Sequence, residues 1–234
     1  MRTLVNIPAY NEAAKIFNVV QQVKLAGYNV IVIDDGSVDA TAQEAQRAGA
    51  KVLRHFVNRG YGAALTTGMN WAQQHDYDVV VHFDADGQHE VGDITKLLAP
   101  IFTGVVDVVL GSRFIKSDPN DPNSTRMTRI KIPFVRRLLL KAAILFTWLF
   151  SGIKLTDAHN GLRAFSRAAL SKIDCRQDGM AYASEVIDQI AEHGLRYREV
   201  AVMIQYTEYS KQKGESNVKK ILLGLRFLWG KFVR

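Results

Sequence analysis

Residues 79–89 read VVVHFDADGQH, an apolar run that ends in two carboxylates, Asp84 and Asp86, one residue apart. A short apolar run followed by polar turn residues predicts a buried strand of a parallel sheet. Two carboxylates this close repel each other unless a cation or hydrogen bonds compensate. Mg²⁺ and Mn²⁺ suit hard oxygen ligands, and Mg²⁺ usually binds one or two carboxylates plus substrate phosphates. The stretch predicts a metal and diphosphate site, with a solvated acidic turn as the alternative.

Short apolar runs and helical patterns alternate on both sides of this stretch. The predicted strands are Thr3–Ile7, Asn29–Ile33, Ala50–Arg54, Val79–Phe83 and Asp107–Leu110. The predicted helices between them are about Glu12–Ala26, Ala40–Ala48, Gly62–Gln74 and Val91–Phe102. This alternation is typical of an α/β fold with a mostly parallel sheet, in which ligands bind beyond the carboxyl ends of the strands.

The regular alternation stops after residue 113. Residues 116–133 contain three prolines and no apolar period, which predicts a long loop. The predictions for the rest are a helix at about 134–150, a loop at 156–161, a helix at 182–192 and a last strand at 196–206.

The net charge of +7 is concentrated in two segments of this 234-residue chain. Residues 113–141 hold eight basic residues against two acidic ones, and residues 211–234 hold seven against one. A content of 47% hydrophobic and 23% charged residues excludes wholesale disorder, collagen and a disulfide scaffold. The single cysteine, Cys175, allows no internal disulfide, so we expect a reducing, cytoplasmic location.

No apolar run reaches the roughly 20 residues that a transmembrane helix needs. The nearest, residues 138–150, is 13 residues long and contains Lys141. Residues 218–232 place apolar side chains at helical spacing with basic residues mostly on the other side, which predicts a basic amphipathic helix. Such a helix either lies in a bilayer interface or docks on the core, and both alternatives stay open.

Five motifs follow one another in a fixed order, and two more extend them: PAYNE at 8–12, DDGS at 34–37, NRGYG at 58–62, DADGQH at 84–89, GSRF at 111–114, TD at 156–157 and NGLRAF at 160–165. Together they resemble family 2 glycosyltransferases, most closely the branch of dolichyl-phosphate mannosyltransferases and polyprenyl-phosphate glucosyltransferases. The resemblance covers about residues 4–216. A dinucleotide-binding fingerprint is excluded at residues 60–65, because the third glycine is replaced by Leu65.

The resemblance implies a GT-A fold over residues 1–210, followed by the basic segment 211–234. It also implies a UDP- or GDP-linked sugar as donor and Mg²⁺ or Mn²⁺ as cofactor. A metal of this kind stabilises the charge on the leaving nucleoside diphosphate, so no protein nucleophile is needed. The residues implied to contact the donor are Pro8, Tyr10, Glu12 and Asp35 at the nucleoside, Asp84, Asp86 and Gln88 at the metal and diphosphate, and Lys211 and Lys213 at the phosphates.

Three arginines, Arg113, Arg126 and Arg129, fall where the resembling enzymes bind a lipid phosphate. The planar fork of donors on arginine suits that role, although solvated loop charge is the alternative. A phosphate oxygen is already anionic at neutral pH, whereas a sugar hydroxyl would need a general base.

Two carboxylates besides Asp86 are candidate catalytic residues, namely Asp157 and Glu185. The structural alternatives are an ion pair between Asp157 and Arg163, and a capping or solvated role for Glu185. The neighbours of Glu185 are Ser184 and Val186, so the acidic pair that hydroxyl-specific relatives often carry is missing.

These features predict an inverting enzyme that moves one hexose from a nucleotide diphosphate sugar to a polyprenyl phosphate. The Gln-x-x-Arg-Trp stretch of processive synthases is absent, which favours a single transfer. The alternatives are transfer to a saccharide or lipid-linked glycan in cell-surface polysaccharide synthesis, and a non-catalytic nucleotide-binding module at a membrane surface. We expect a peripheral position on the inner face of the cytoplasmic membrane, an integral membrane protein as a possible partner, and no nucleic acid.

Overall fold

One seven-stranded sheet organises the residues that the computed structural model describes, which are 1–115, 148, 151–158 and 160–205. Its strands are β1 Thr3–Ala9, β2 Asn29–Asp34, β3 Lys51–Arg54, β4 Val79–His82, β5 Val108–Ser112, β6 Arg163–Ser166 and β7 Tyr197–Ala201. Their order across the sheet is β3-β2-β1-β4-β6-β5-β7. β6 runs antiparallel to both of its neighbours, and every other pair is parallel.

Helices cover both faces of this sheet, because alternate residues of each strand point to opposite sides. The helices are α1 Ala13–Leu25, α2 Thr41–Arg47, α3 Tyr61–Gln74, α4 Gly92–Phe102, and two later ones at Arg167–Leu170 and Tyr182–Glu192. One core cluster joins Leu4 and Val80 to α3 and the Tyr182–Glu192 helix. The other joins Val5 and Val81 to α1 and α4. The strands β1, β2, β4 and β5 are therefore buried on both sides, which explains their nearly continuous apolar sequences, whereas the outer strands β3 and β7 are partly exposed.

The predicted α/β class and mostly parallel sheet are confirmed. The strands and helices predicted up to residue 113 lie within two residues of the observed bounds, and the helix Tyr182–Glu192 agrees at both ends. The prediction was wrong to leave out β6 and the short helix Arg167–Leu170. β6 has only four residues, with a polar residue at each end, which is too short to show an apolar periodicity. Its pairing with β4 and β5 is what makes it a strand.

Several predictions fall on residues outside the described ranges. These are the loop at 116–133, nearly all of the helix at 134–150, and the amphipathic segment 211–234. The described part forms one compact unit, Met1–Ile204, and the division at residue 210 stays a prediction. Across the described residues, we find no helix with the length and apolar character that crossing a bilayer requires.

The start of α3 shows why its sequence is glycine-rich. A Cβ on Gly62 would lie 2.1 Å from the carbonyl oxygen of Gln177, and one on Gly60 would lie 2.4 Å from that of Asp178. The backbone of residues 177–179 therefore packs directly on the first turn of α3, and the Ala63 amide donates to the Asp178 carbonyl over 3.1 Å. This contact explains the Gly-x-Gly spacing at residues 60–62 without a dinucleotide.

We predict that Gly62→Ala lowers the free energy of unfolding by roughly 1–3 kcal/mol, because backbone rather than a flexible side chain must move. Gly92→Ala is the matched control, since a Cβ at Gly92 meets nothing within 4 Å. Urea unfolding of both variants measures the difference. Equal stabilities would show that the 177–179 segment is not held against α3 as described.

Candidate active site

Asp84 follows β4 at the carboxyl end of the sheet, and two side chains hold its carboxylate. The Tyr61 hydroxyl donates to Oδ1 over 2.9 Å, and the Nε2 atom of His89 lies 2.8 Å from Oδ2. Burial raises the pKa of Tyr61 well above its ordinary value, and the charge of Asp84 raises it further, so this hydroxyl keeps its proton and donates. Asp84 is therefore fixed in orientation, with 29% of its side chain still exposed.

Asp86 points its carboxylate at Gln88. The backbone amide of Gln88 donates to Oδ1 of Asp86 over 3.0 Å, and the side-chain Nε2 of Gln88 donates to Oδ2. Burial and the negative charge of Asp84 raise the pKa of Asp86 above its ordinary value. Burial would also raise the pKa of Asp84, but the charge and hydrogen bond of His89 and the hydrogen bond from Tyr61 outweigh it, so that pKa is lowered. The two carboxylates thus stand in different electrostatic environments.

The loop before β6 lies against Asp84. A Cβ on Gly161 would lie 2.6 Å from Oδ2 of Asp84 and 2.9 Å from the Tyr61 hydroxyl, so a larger residue there would displace the Asp84 carboxylate or its partner. Earlier in this loop, Asp157 pairs with Arg113 at the end of β5. Arg113 Nε lies 2.6 Å from Oδ2 of Asp157 and Nη2 lies 2.8 Å from Oδ1, which is a bidentate pair. One loop therefore connects the Asp84 end of the site to Arg113.

The predicted alternative of an ion pair between Asp157 and Arg163 was wrong, because Arg113 is the partner of Asp157. Arg163 is buried and donates to the carbonyl oxygens of Ala158, Asn160 and Ala183 instead. It thereby fastens the loop before β6 to the Tyr182–Glu192 helix.

Asp34 and Asp35, at the end of β2, are both buried and both occupied by protein groups. Asp34 accepts from the Ser37 amide and lies 3.2 Å from Nε of Arg54. Asp35 holds the start of the α3 segment by accepting the backbone amides of Arg59 and Gly60, at 2.9 and 2.7 Å, and it pairs with His55. The contact of Asp35 with a nucleoside stays a prediction, and its visible role is to order this loop.

The remaining residues predicted at the nucleoside lie at the end of β1. Pro8 is buried within the strand and pairs with Ile33, whereas Tyr10 is 43% exposed. The Glu12 amide donates to the Thr41 hydroxyl over 2.8 Å, so the turn after β1 is tied to the start of α2. The structure thus places Pro8 on β1, and Tyr10, Glu12 and Asp35 just after the carboxyl ends of the adjacent parallel strands β1 and β2.

Glu185 stands in the first turn of the Tyr182–Glu192 helix and binds backbone. Its carboxylate accepts the amide of Arg176 at 3.0 Å and the amide of Gln177 at 2.8 Å. This contact is structural, but it holds the preceding segment and is neither a cap of the residue's own helix nor a solvated carboxylate; the role of Glu185 as a base stays a prediction. Arg126, Arg129, Lys211 and Lys213 lie outside the described residues.

The donor chemistry of this edge fits a hard divalent cation. Among the residues described, no group of three or more His, Cys, Asp or Glu side chains is placed to hold a metal ion alone. Two carboxylates and the Gln88 amide are present at the end of β4, which is the small set that Mg²⁺ uses when substrate phosphates complete its shell. The residues therefore fit a metal that arrives with a diphosphate, and do not form a closed structural site.

Two cavities in the described part lie elsewhere. One, of about 470 Å³, is lined by Thr3 and Asn29, which begin β1 and β2. The other, of about 540 Å³, is lined by Val106 and Tyr197, near the starts of β5 and β7. Both lie at the amino ends of parallel strands, where ligands of such sheets do not bind. The candidate site is therefore the carboxyl ends of the strands, where the motif side chains lie.

Sequence reasoning missed the residues that orient the site. Tyr61 and His89 both lie within recognised motifs, but neither was assigned a role in orienting Asp84. Glu199, on β7, binds the backbone of Thr156 and Asp157 and was not considered at all. No spacing pattern links residues 43 positions apart, so only the strand order of the folded sheet reveals this contact.

A mostly parallel sheet with a carboxylate pair at the end of its central strand defines an α/β protein with a candidate metal and diphosphate site at the carboxyl ends of its strands. The solved glucosyl-3-phosphoglycerate synthase of Mycobacterium tuberculosis has this fold, with a TM-score of 0.64 and 23% identity over 88% of this chain and 73% of that chain. The family described as Glycosyl transferase family 2 matches residues 4–174. The chain belongs to this family, and it is a nucleotide-sugar glycosyltransferase with a GT-A-like fold.

Two curated relatives are similar over nearly their whole length. The UDP-N-acetylglucosamine–dolichyl-phosphate N-acetylglucosaminyltransferase of Methanococcus voltae is 31% identical over 95% of this chain and 92% of that protein. The undecaprenyl-phosphate mannosyltransferase of Micrococcus luteus is 29% identical over 98% of this chain and 96% of its own. The alternative of a non-catalytic nucleotide-binding module is therefore set aside.

We predict that Glu185→Ala lowers the free energy of unfolding by about 1 kcal/mol, since two backbone amides lose an exposed acceptor. The turnover number of the folded variant should change less than threefold. Glu192→Ala, at the exposed end of the same helix, is the control. Urea unfolding and initial rates measure the two effects. A large loss of turnover without loss of stability would instead identify Glu185 as a catalytic group.

Proposed function

We propose that this enzyme transfers one hexose, with inversion, from a nucleotide diphosphate sugar to a polyprenyl phosphate at the inner face of the cytoplasmic membrane. The observation that carries the proposal is the nearly full-length similarity to two enzymes named for dolichyl and undecaprenyl phosphate acceptors. One is named for N-acetylglucosamine and the other for mannose, so the sugar and base of the donor remain open. An integral membrane partner stays a prediction.

The donor would lie along the carboxyl ends of β1, β2 and β4. Its nucleoside would meet Pro8, Tyr10, Glu12 and Asp35, and its diphosphate would lie at Asp84, Asp86 and Gln88, which would hold Mg²⁺ or Mn²⁺. When bound, such an ion neutralises charge on the departing diphosphate as a Lewis acid. The hydrogen bonds from Tyr61 and His89 support this assignment, because they preset the direction of the Asp84 carboxylate before a ligand arrives.

The acceptor phosphate would lie beside Arg113, at the other end of the loop that contacts Asp84. One anionic phosphate oxygen attacks the anomeric carbon on the face opposite the leaving group. The bond from that carbon to the diphosphate oxygen breaks, and its electron pair leaves with the nucleoside diphosphate. No proton has to be removed from the attacking oxygen, so the protein needs to supply positioning and charge rather than a base. Arg126, Arg129, Lys211 and Lys213 stay predicted phosphate contacts.

We predict that a lipid one hexosyl unit heavier forms when the enzyme meets a short polyprenyl phosphate, Mn²⁺ or Mg²⁺, and the correct member of a panel of UDP- and GDP-sugars. Mass spectrometry of the lipid measures it, with the polyprenol that lacks phosphate as the matched acceptor control. Asp86→Ala should reduce the rate at least about 100-fold, since it removes half of the carboxylate pair. If the rate of nucleotide release is unchanged by polyprenyl phosphate but increases when an oligosaccharide is added, the glycan-acceptor alternative is established instead.

We predict that Tyr61→Phe weakens Mn²⁺ binding in the presence of nucleoside diphosphate by roughly tenfold, because Asp84 loses one of the donors that orient it. Calorimetric titration of Mn²⁺ measures the affinity, alongside the Mn²⁺ dependence of turnover. Tyr28→Phe removes a hydroxyl whose partner is Thr95, beside the cavity at the amino ends of β1 and β2, and should change neither quantity. An unchanged affinity in Tyr61→Phe would remove Tyr61 from the metal site.

A further inference from the structure

Glu199 on β7 holds the loop that carries Asp157. Its Oε1 accepts the amide and the hydroxyl of Thr156 and the amide of Asp157, each at 3.0 Å, and Oε2 accepts the Thr156 amide at 2.8 Å. Three donor groups from two consecutive residues therefore converge on a single carboxylate. β7 pairs in parallel with β5, with Glu199 opposite Leu110, so this contact reaches from one strand to the loop above its neighbour.

The hydrogen bonds continue from Thr156 to both chain neighbours of Arg113. The Thr156 and Ser112 hydroxyl oxygens lie 2.6 Å apart, and the Phe114 amide donates to the Ser112 hydroxyl over 3.1 Å. An ionised carboxylate only accepts, so Thr156 donates to Glu199 and must accept from Ser112. Ser112 in turn accepts from the Phe114 amide. The chain of donors thus runs in one direction, from Phe114 to Glu199.

Arg113 is therefore fixed on both sides by groups that depend on Glu199. Its flanking residues, Ser112 and Phe114, are tied through Thr156, and its partner Asp157 is tied through its own amide. Asp157 has 1% of its side chain exposed and meets the guanidinium with both oxygens. A hydrogen-bonded chain of this kind is cooperative, so loss of its terminal acceptor affects every member.

We infer that Glu199 is a positioning residue for the acceptor phosphate, acting through Thr156 and Asp157 on the direction of the Arg113 guanidinium. The inference rests on the proposed function, in which Arg113 contacts that phosphate. In this arrangement, the Asp157 carboxylate orients the guanidinium of Arg113. Glu199 itself touches neither donor nor acceptor, so its loss should affect acceptor binding and leave donor binding intact.

The substitution Glu199→Gln tests this inference, because it removes the charge of the side chain and keeps its size. A glutamine keeps one carbonyl oxygen but presents an NH2 donor in place of the second acceptor. Even with its oxygen in the position of Oε1, the NH2 group would face the Thr156 amide that now lies 2.8 Å from Oε2, so two donors would oppose each other. We expect the KM for a short polyprenyl phosphate to rise roughly tenfold, which corresponds to about 1.4 kcal/mol. The KM for the donor sugar should stay within about twofold of the wild-type value, because Glu199 acts on Arg113 and not on the donor residues. Glu199→Asp keeps an acceptor-only group and should restore part of the affinity.

Two comparisons separate positioning from general stability. Glu192→Gln makes the same chemical change at an exposed site and should leave both KM values and the melting temperature unchanged. In an Arg113→Ala background, adding Glu199→Gln should raise the acceptor KM less than about twofold, because residues that act through one group are not additive.

The possible outcomes are distinct. A Glu199→Gln enzyme that matches Glu192→Gln overturns the inference, as does an equal rise in both KM values with a lower melting temperature. A full tenfold rise in the Arg113→Ala background also overturns it, because Glu199 would then act independently of Arg113. A wild-type enzyme that never uses polyprenyl phosphate overturns the proposed function itself, and that result is visible before any variant is measured.

Discussion

The repulsion between Asp84 and Asp86 is the constraint on which the rest of the site depends. Two carboxylates at one strand end are tolerated because neighbouring groups supply donors to each: Tyr61 and His89 to the first, Gln88 to the second. These donors come from the start of α3 and from the turn after β4. The carboxylates are consequently held in place before any cation binds, which is the preorganisation that a metal site requires of its surroundings.

The antiparallel strand β6 joins the Asp84 side of this edge to the Arg113 side. Because β6 lies between β4 and β5, the loop that leads into it passes above both of their ends. Gly161 lets this loop approach Asp84, and Asp157 in the same loop binds Arg113 after β5. Arg163 donates to two carbonyl oxygens of this loop and to one of the Tyr182–Glu192 helix, and so holds the loop against the helix. A purely parallel sheet would have no segment in that position.

The sequence was sufficient to predict the strands and helices whose apolar residues recur at a regular spacing. It was also sufficient to recognise the motifs at the ends of β1, β2 and β4. It was insufficient for β6, whose four residues become a strand through pairing with β4 and β5. It was also insufficient for the partner of Asp157, since charge alone does not distinguish Arg163 from Arg113. Those two choices depend on strand order, which brings together residues more than 40 positions apart and leaves no local signal.

The two carboxylates considered as general bases bear on the choice of acceptor. Asp157 already accepts a bidentate guanidinium, and Glu185 already accepts two backbone amides. Taking a proton from a sugar hydroxyl would remove the negative charge that strengthens these bonds in either residue, and the segment that it holds would be bound less tightly in the same step. An acceptor that arrives as a phosphate anion avoids that cost, because its attacking oxygen carries no proton at neutral pH. What it needs instead is a fixed cation, and the hydrogen-bonded chain from Glu199 to Arg113 is suited to provide one.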